Sequence, residues 1–297
     1  MSAAPTHTSK ISGLTFVGDD RLASSDASGR VLLWSARSGS WICEEVLVDE
    51  GGPEVEQMVH GSGLLWMASR AGVTAMDPDS GEVVSRDDVL EQVRSVPKRY
   101  EGMSLCEEVP VLRGWRNIVS KGARGYYKRD VEMAHNIATP ATITSMFYDD
   151  AHGELVVSTN HDVVQFYDPS TLALERSFSR KSAVVFRATD PSRIGVAALG
   201  GRKWSLAKRG TGRGGTSHEV AFDILRAQSA NGRVLFADGA SSLALHDEAG
   251  ALLWSSTPED SSGSKITRER LSPGGDHVAW CDGASLSVVT IQHTSGQ

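Results

Sequence analysis

Residues His7 to Trp34 read HTSKISGLTFVGDDRLASSDASGRVLLW. Apolar side chains fall at Ile11, Leu14 and Phe16, and a turn follows at Gly18-Asp19-Asp20. A strand of small residues comes next (Leu22, Ala23, Ser24), then a turn at Ser28-Gly29 and an apolar strand from Val31 to Trp34. After Ser38-Gly39 the stretch Trp41 to Val48 supplies a fourth. Short strands with period-two patterning, separated by Gly, Asp and Ser, predict a four-stranded antiparallel meander.

The same grammar recurs along the chain. Third strands are expected to end near Trp34, Met76, Tyr167, Leu206, His246 and Val289, at gaps of 42, 91, 39, 40 and 43 residues. The gap of 91 is about twice the others and implies one degenerate unit, placed at Ile118 to Arg129. Seven units follow, at 7–48, 55–88, 100–138, 142–179, 183–220, 221–257 and 265–293, within one domain spanning 1–297. A period near 40 with four strands per unit predicts a β-propeller. A lone twisted four-stranded sheet buries its faces poorly, whereas seven packed radially bury both faces of each and leave only short edges. The fold class expected is all-β, a seven-bladed propeller with an irregular third blade. The last blade is short of chain: either a brief strand closes it or it has three strands.

The 297 residues are 40% apolar and 23% charged, enough for a packed core. No apolar run reaches the ~18–20 residues of a membrane-spanning helix. Met1 to Lys10 carries no apolar stretch, which predicts the absence of a secretory leader. Cys43, Cys106 and Cys281 are an odd, widely spaced set, the pattern of free thiols in a reducing compartment. An intracellular protein, cytoplasmic or nuclear, is expected.

The first unit resembles a WD-repeat, a propeller unit that begins with Gly-His and ends with Trp-Asp. In that family a His, a Ser, an Asp and a Trp form a buried hydrogen-bonded tetrad. His7, Ser24 and Trp34 fall on the family positions, Ser28 stands where the Asp is expected, and Ser35 replaces the final Asp. Later units lack the Gly-His start, and Asp77, Asp168 and Asp247 echo the final acid. A second resemblance, to quinoprotein-like propeller repeats, covers Val73 to Gly81 and Leu243 to Trp254. It implies a quinone-dependent enzyme as a minor alternative. The WD-repeat resemblance implies protein recognition on the rims and central face.

The charge is uneven. The net charge is −7, yet residues 94–129 carry nine basic and three acidic residues, and residues 200–218 carry five basic and none acidic. Trp115, Arg116, Lys121, Arg124, Tyr126, Tyr127, Lys128 and Arg129, with Arg202, Lys203, Lys208, Arg209 and Arg213 of the stretch 202–213 (read as a loop), form the candidate binding set. Cations among aromatics suit an acidic protein segment or RNA, and a solvated loop is the plain alternative. Gly210 to Gly215 satisfies Gly-x-Gly-x-x-Gly but lies between strands, so it reads as a flexible connection rather than a dinucleotide site. No pair of histidines has a metal-ligand spacing, no Cys-x-x-Cys occurs, and Gly-x-Ser-x-Gly is absent. Asp19-Asp20 and Asp149-Asp150 read as turn carboxylates. The function expected is a non-enzymatic interaction scaffold or adaptor within a multi-subunit assembly, without cofactor, metal or membrane insertion. An RNA- or ribonucleoprotein-binding propeller is the alternative.

Overall fold

The computed structural model of the protein describes residues 6–37, 40–49, 51–61, 63–69, 72–84, 143–149, 151–159, 162–167, 174–181, 183–256 and 266–291. These residues form β-strands and turns, without a helix. The first sheet comprises β1 (Ile11–Phe16), β2 (Arg21–Asp26), β3 (Val31–Arg37) and β4 (Ser40–Val48), hydrogen-bonded in chain order. The second comprises β5 (Val55–Gly61), β6 (Leu64–Ser69), β7 (Gly72–Met76) and β8 (Val83–Val84). Three further sheets follow: β9 (Ile143–Asp149), β10 (Glu154–Thr159), β11 (Val163–Tyr167) and β12 (Leu174–Ser179); β13 (Ala183–Phe186), β14 (Arg193–Ala198), β15 (Gly201–Lys208) and β16 (Ser217–Ile224); β17 (Arg226–Ala230), β18 (Arg233–Ala237), β19 (Leu243–Asp247) and β20 (Leu252–Ser255). The last comprises β21 (Ile266–Leu271), β22 (His277–Asp282) and β23 (Ser285–Thr290), three strands among the described residues. The expected irregular unit at 100–138 lies outside the described residues.

The first strands of successive sheets face one another. Strand β1 contacts β5 on one side and β21 on the other, and β21, β17, β13 and β9 follow in turn. Two of these strands are covered throughout: every residue of β1 and of β13 is buried, whereas every residue of the outer strand β4 is exposed or half-buried. The core therefore consists of slabs between sheets rather than one central mass. Ala23, Leu33, Val55, Met58 and Met67 fill the slab between the first two sheets. Phe147, Val156, Phe166, Val185 and Val196 fill another, and Phe186, Trp204, Val220 and Phe236 the next.

The first and last sheets meet around Ile11, Leu14, Phe16, Leu22, Ala279 and Cys281, with Trp34, Trp41, Leu286 and Val288 packed at the edge. Burial pushes the Cys281 thiol up to about 12, which leaves it an inert apolar filler. Hydrogen bonds stitch the same junction: Ile11 N–H donates to the Gly283 carbonyl at 2.9 Å, Arg268 Nε to the Ser12 carbonyl at 3.0 Å, and Gly274 N–H to Asp19 Oδ1 at 2.5 Å. Asp19, expected to serve its own turn, thus bridges the chain's first and last sheets.

One expectation needs correction. Residues 202–208 are not a loop: they belong to β15, and only 209–216 connect it to β16. That connection is anchored as well. Gly212 has φ +63°, a Cβ placed on it would fall 2.4 Å from the Phe178 ring, and its carbonyl accepts from Arg180 at 3.2 Å. The glycine permits a close approach between neighbouring sheets rather than free motion.

Candidate functional site

The chain's first turn brings together the residues with the strongest chemical signature. His7 Nε2 lies 2.7 Å from Ser24 Oγ, and His7 Nδ1 lies 2.9 Å from Asp26 Oδ2. Ser24 and Asp26 are two apart on β2, so the pleat aims both side chains at one face, and His7 packs over them. Trp34, on the adjacent β3, donates from Nε1 to Ser24 Oγ at 2.7 Å. The bonding fixes the proton positions. A carboxylate accepts, so His7 carries its proton on Nδ1 and accepts at Nε2 from the Ser24 hydroxyl, which in turn accepts from the indole.

The acid of this tetrad is Asp26, not the residue at position 28. Ser28 instead donates to Asp26 Oδ1 from its N–H at 2.9 Å and its hydroxyl at 2.5 Å, and Arg30 N–H approaches the same oxygen at 3.3 Å. The carboxylate stands two residues before the expected position, and the serine at that position donates to it. The residue pair Asp26-x-Ser28 stands in the sequence, but the WD-repeat resemblance put the acid at position 28.

Ser, His and Asp at hydrogen-bonding distance also describe a nucleophile, base and orienting acid. Position decides between the readings. Ser24 and Asp26 have no exposed surface, and His7 is 8% exposed. The Ser24 oxygen is capped by an indole N–H where a substrate carbonyl would have to approach. The arrangement holds β1–β3 and the incoming chain together.

A second buried polar cluster joins neighbouring sheets. Arg209 reaches from the β15–β16 connection to Asp149 and, through Nη2, to Glu154 Oε2 at 2.5 Å. Arg176 Nη2 donates to the same Glu154 oxygen at 2.6 Å. The two guanidinium carbons lie 4.4 Å (Arg176) and 5.0 Å (Arg209) from the Phe166 ring centroid. Burial acts to raise the Glu154 carboxyl, but the two arginines outweigh it and hold it below the usual carboxylate range. Arg209, placed in the candidate binding set, is therefore enclosed in an inter-sheet clamp. Arg202 and Lys203 lie at the start of β15, Arg202 beside Asp223 at 3.5 Å, while Lys208 ends that strand and Arg213 follows it, both exposed. One strand separates the two pairs, so they form no single patch. Trp115, Arg116, Lys121, Arg124, Tyr126, Tyr127, Lys128 and Arg129 lie outside the described residues.

Two adjoining cavities open where the innermost strands end. One, of about 110 Å³, is lined by Thr15 and Phe16 of β1, His60 of β5, Gln228 to Ala230 of β17, and Arg270 and Leu271 of β21, with Pro273. Four innermost strands converge on it, which puts it at the mouth of the central axis. The other, of about 220 Å³, shares Ser229, Ala230 and Pro273 and adds Arg187, Thr189, Asn231 and Glu248. The sequence held a signal for this site: Thr267-Arg268-Glu269-Arg270 is a charged run on an innermost strand.

Three histidines make the fold acid-sensitive. Burial holds His7 below its ordinary value near 6.5 despite Asp26. Burial and Arg21 lower His60, and burial lowers His246 despite the Gly250 carbonyl. With folded values below the unfolded one, the unfolded chain binds more protons in between. Stability is complete above pH ~6.5 and falls as pH drops below it. Asp26 adds to the loss further down: burial raises it, but bonds from Ser28 and His7 bring it below 3.8, so its contribution disappears as pH falls through that lower value. Thermal melts at pH 7.5 and 5.5 are expected to show a lower midpoint at 5.5; equal midpoints contradict this.

The solved structure of the WD40 β-propeller domain of Doa1 matches this chain with a TM-score of 0.53 at 12% identity, over 98% of this chain and 96% of that one. No family model matches the chain, and no curated protein matches it in sequence. The likeness concerns the fold: in architecture the protein is a WD-repeat-like β-propeller.

Proposed function

We propose that the protein is a non-enzymatic interaction propeller, a scaffold or adaptor subunit of a larger intracellular assembly. The observation that carries this reading is the fate of the Ser24–His7–Asp26 constellation, which is buried and bonded to Trp34 inside the first sheet. The polar groups best equipped for catalysis are spent on holding the sheet. Among the described residues the surface offers turns and a cavity at the axis, parts of a propeller with which other chains can engage. Tagged protein, purified under near-physiological salt and analysed by mass spectrometry, is expected to retain one or more protein partners in stoichiometric amount. Isolation as a lone 31.8 kDa chain from several lysates contradicts the reading. Nuclease treatment separates the RNA alternative, since a partner held through RNA leaves with it.

A further inference from the structure

The connection between β15 and β16 holds two cations to which the fold gives no partner, and the inference from them deepens the interaction reading and rests on it. Lys208 N–H donates to the Arg213 carbonyl at 2.9 Å, and the Lys208 carbonyl accepts from Gly212 N–H at 2.9 Å. These bonds close a loop and set Lys208 and Arg213 opposite each other at its base. Both are exposed, and neither side chain meets a carboxylate or other polar group among the described residues. Like charges held opposite each other repel. The neighbouring acids do not relieve them. Asp149 and Glu154 are engaged by Arg209. Asp190, brought near by the bond from Arg209 N–H to the Ser192 carbonyl at 3.0 Å, accepts from the Ser192 hydroxyl at 2.7 Å and pairs with Arg193 at 3.4 Å. Arg180 is committed too: its Nη1 donates to the Gly212 carbonyl, so it fastens the loop.

The loop is fixed on one side and open on the other. A Cβ added at Gly212 would fall 2.4 Å from Phe178, and one at Gly215 would fall 2.2 Å from the Leu206 carbonyl oxygen. Cβ atoms at Gly210 and Gly214 would meet nothing within 4 Å. Gly214 N–H, next to Arg213, donates to no described group. The loop joins the third and fourth strands of its sheet, away from the innermost strand β13 and the axis.

We propose that this loop is a phosphate site that receives a phosphorylated serine or threonine side chain of a partner protein, with Lys208, Arg213 and Gly214 N–H as its donors.

Charge and donor number support phosphate over carboxylate. A phosphoryl group brings about −1.5 to −2 charges at pH 7 and three acceptor oxygens, which suit two cations and a backbone N–H. A carboxylate brings one charge and two oxygens, and leaves part of the repulsion standing. Turn N–H groups flanked by cations recur as phosphate cradles. Arg213 can meet two oxygens at once, and Lys208 adds a point charge. The surroundings support a phosphate carried on protein over RNA. None of residues 208–217 is aromatic, so bases have nothing there to stack on. The chain's net charge of −7 also repels a long polyanion more than a single phosphate.

The test uses the full chain and a fluorescein-labelled peptide, Gly-Gly-Ser-Gly-Gly, with and without phosphate on its serine, with binding read by anisotropy. The phosphorylated peptide is expected to bind saturably and at least ~10-fold more tightly than the plain one. A version with glutamate in place of phosphoserine is expected to bind at least ~5-fold more weakly than the phosphopeptide. Arg213→Gln and Lys208→Gln are each expected to weaken phosphopeptide binding by at least ~5-fold. Both side chains are exposed, so neither variant is expected to lower the melting midpoint. Arg202→Gln with Lys203→Gln, at the other end of β15, is expected to change binding by less than ~2-fold. Equal binding of the phosphorylated and plain peptides overturns the site, as does an equal loss in the 202/203 and 213 variants. Tighter binding of the glutamate peptide overturns the assignment to phosphate. A single-stranded oligouridylate that binds more tightly than the phosphopeptide, and loses binding in Arg213→Gln, overturns the assignment to a protein partner. If the peptides bind alike while protein partners still co-purify stoichiometrically, the interaction reading stands and the loop site alone falls.

Discussion

Arg209→Met should destabilise the protein by about 3–5 kcal/mol, read as a lower denaturation midpoint. The side chains of Arg209, Asp149 and Glu154 are 8%, 6% and 7% exposed, so solvent cannot replace the lost cation. Glu154 keeps Arg176, but Arg176 is 37% exposed and compensates only in part. Asp149 retains Ala151 N–H at 3.1 Å and His152 Nδ1 at 3.2 Å, contacts that do not replace a guanidinium. The cost comes chiefly from stranding two buried carboxylates, which gives the prediction a second arm. Adding Asp149→Asn and Glu154→Gln to Arg209→Met should recover most of the loss, because an apolar or neutral cluster is tolerated where an unpaired charge is not. A single-variant cost below ~1 kcal/mol would show that Arg209 is not enclosed as described.

Asp26→Ala should cost about 2–4 kcal/mol, since it orphans the His7 Nδ1–H and the Ser28 and Arg30 N–H groups at once. Ser28→Ala, which removes one donor to that carboxylate and keeps the backbone bond, should cost no more than ~1 kcal/mol. Ser28→Asp is the sharper comparison. If position 28 were the acid site of the tetrad, Asp there would stabilise. With Asp26 already holding His7, a second carboxylate in place of the Ser28 hydroxyl that now donates to it repels it, and the variant should be less stable at pH 7 than at pH 5 relative to wild type. Urea denaturation of the three variants at both pH values decides between the two assignments.

Much of the fold could be read from local pattern because propeller sheets are local structures. Strands β1–β4 pair only with their sequence neighbours, so alternation and turn residues from His7 to Val48 carry the whole pairing. The spacing of Trp34, Met76, Tyr167, Leu206, His246 and Val289 likewise follows strands β3, β7, β11, β15, β19 and β23. The site was less legible. Asp26 was hidden because the WD-repeat resemblance put the acid at position 28, in the turn after β2, whereas the carboxylate closes the strand itself and the turn serine donates to it. Arg209 looked like a surface cation because its partners, Asp149 and Glu154, lie 60 and 55 residues away in sequence and become neighbours only when sheets stack. The axial cavity draws on four strands from four separate units, and no single window of sequence holds it.

The constellation with a catalyst's geometry is a fastening within the first sheet. Incubation of the native protein with a fluorophosphonate serine probe, followed by peptide mapping, tests it most directly. No adduct is expected on Ser24 in the folded protein. Stoichiometric labelling of Ser24, abolished by Asp26→Asn in a variant that still melts cooperatively, would contradict it and make the protein a hydrolase.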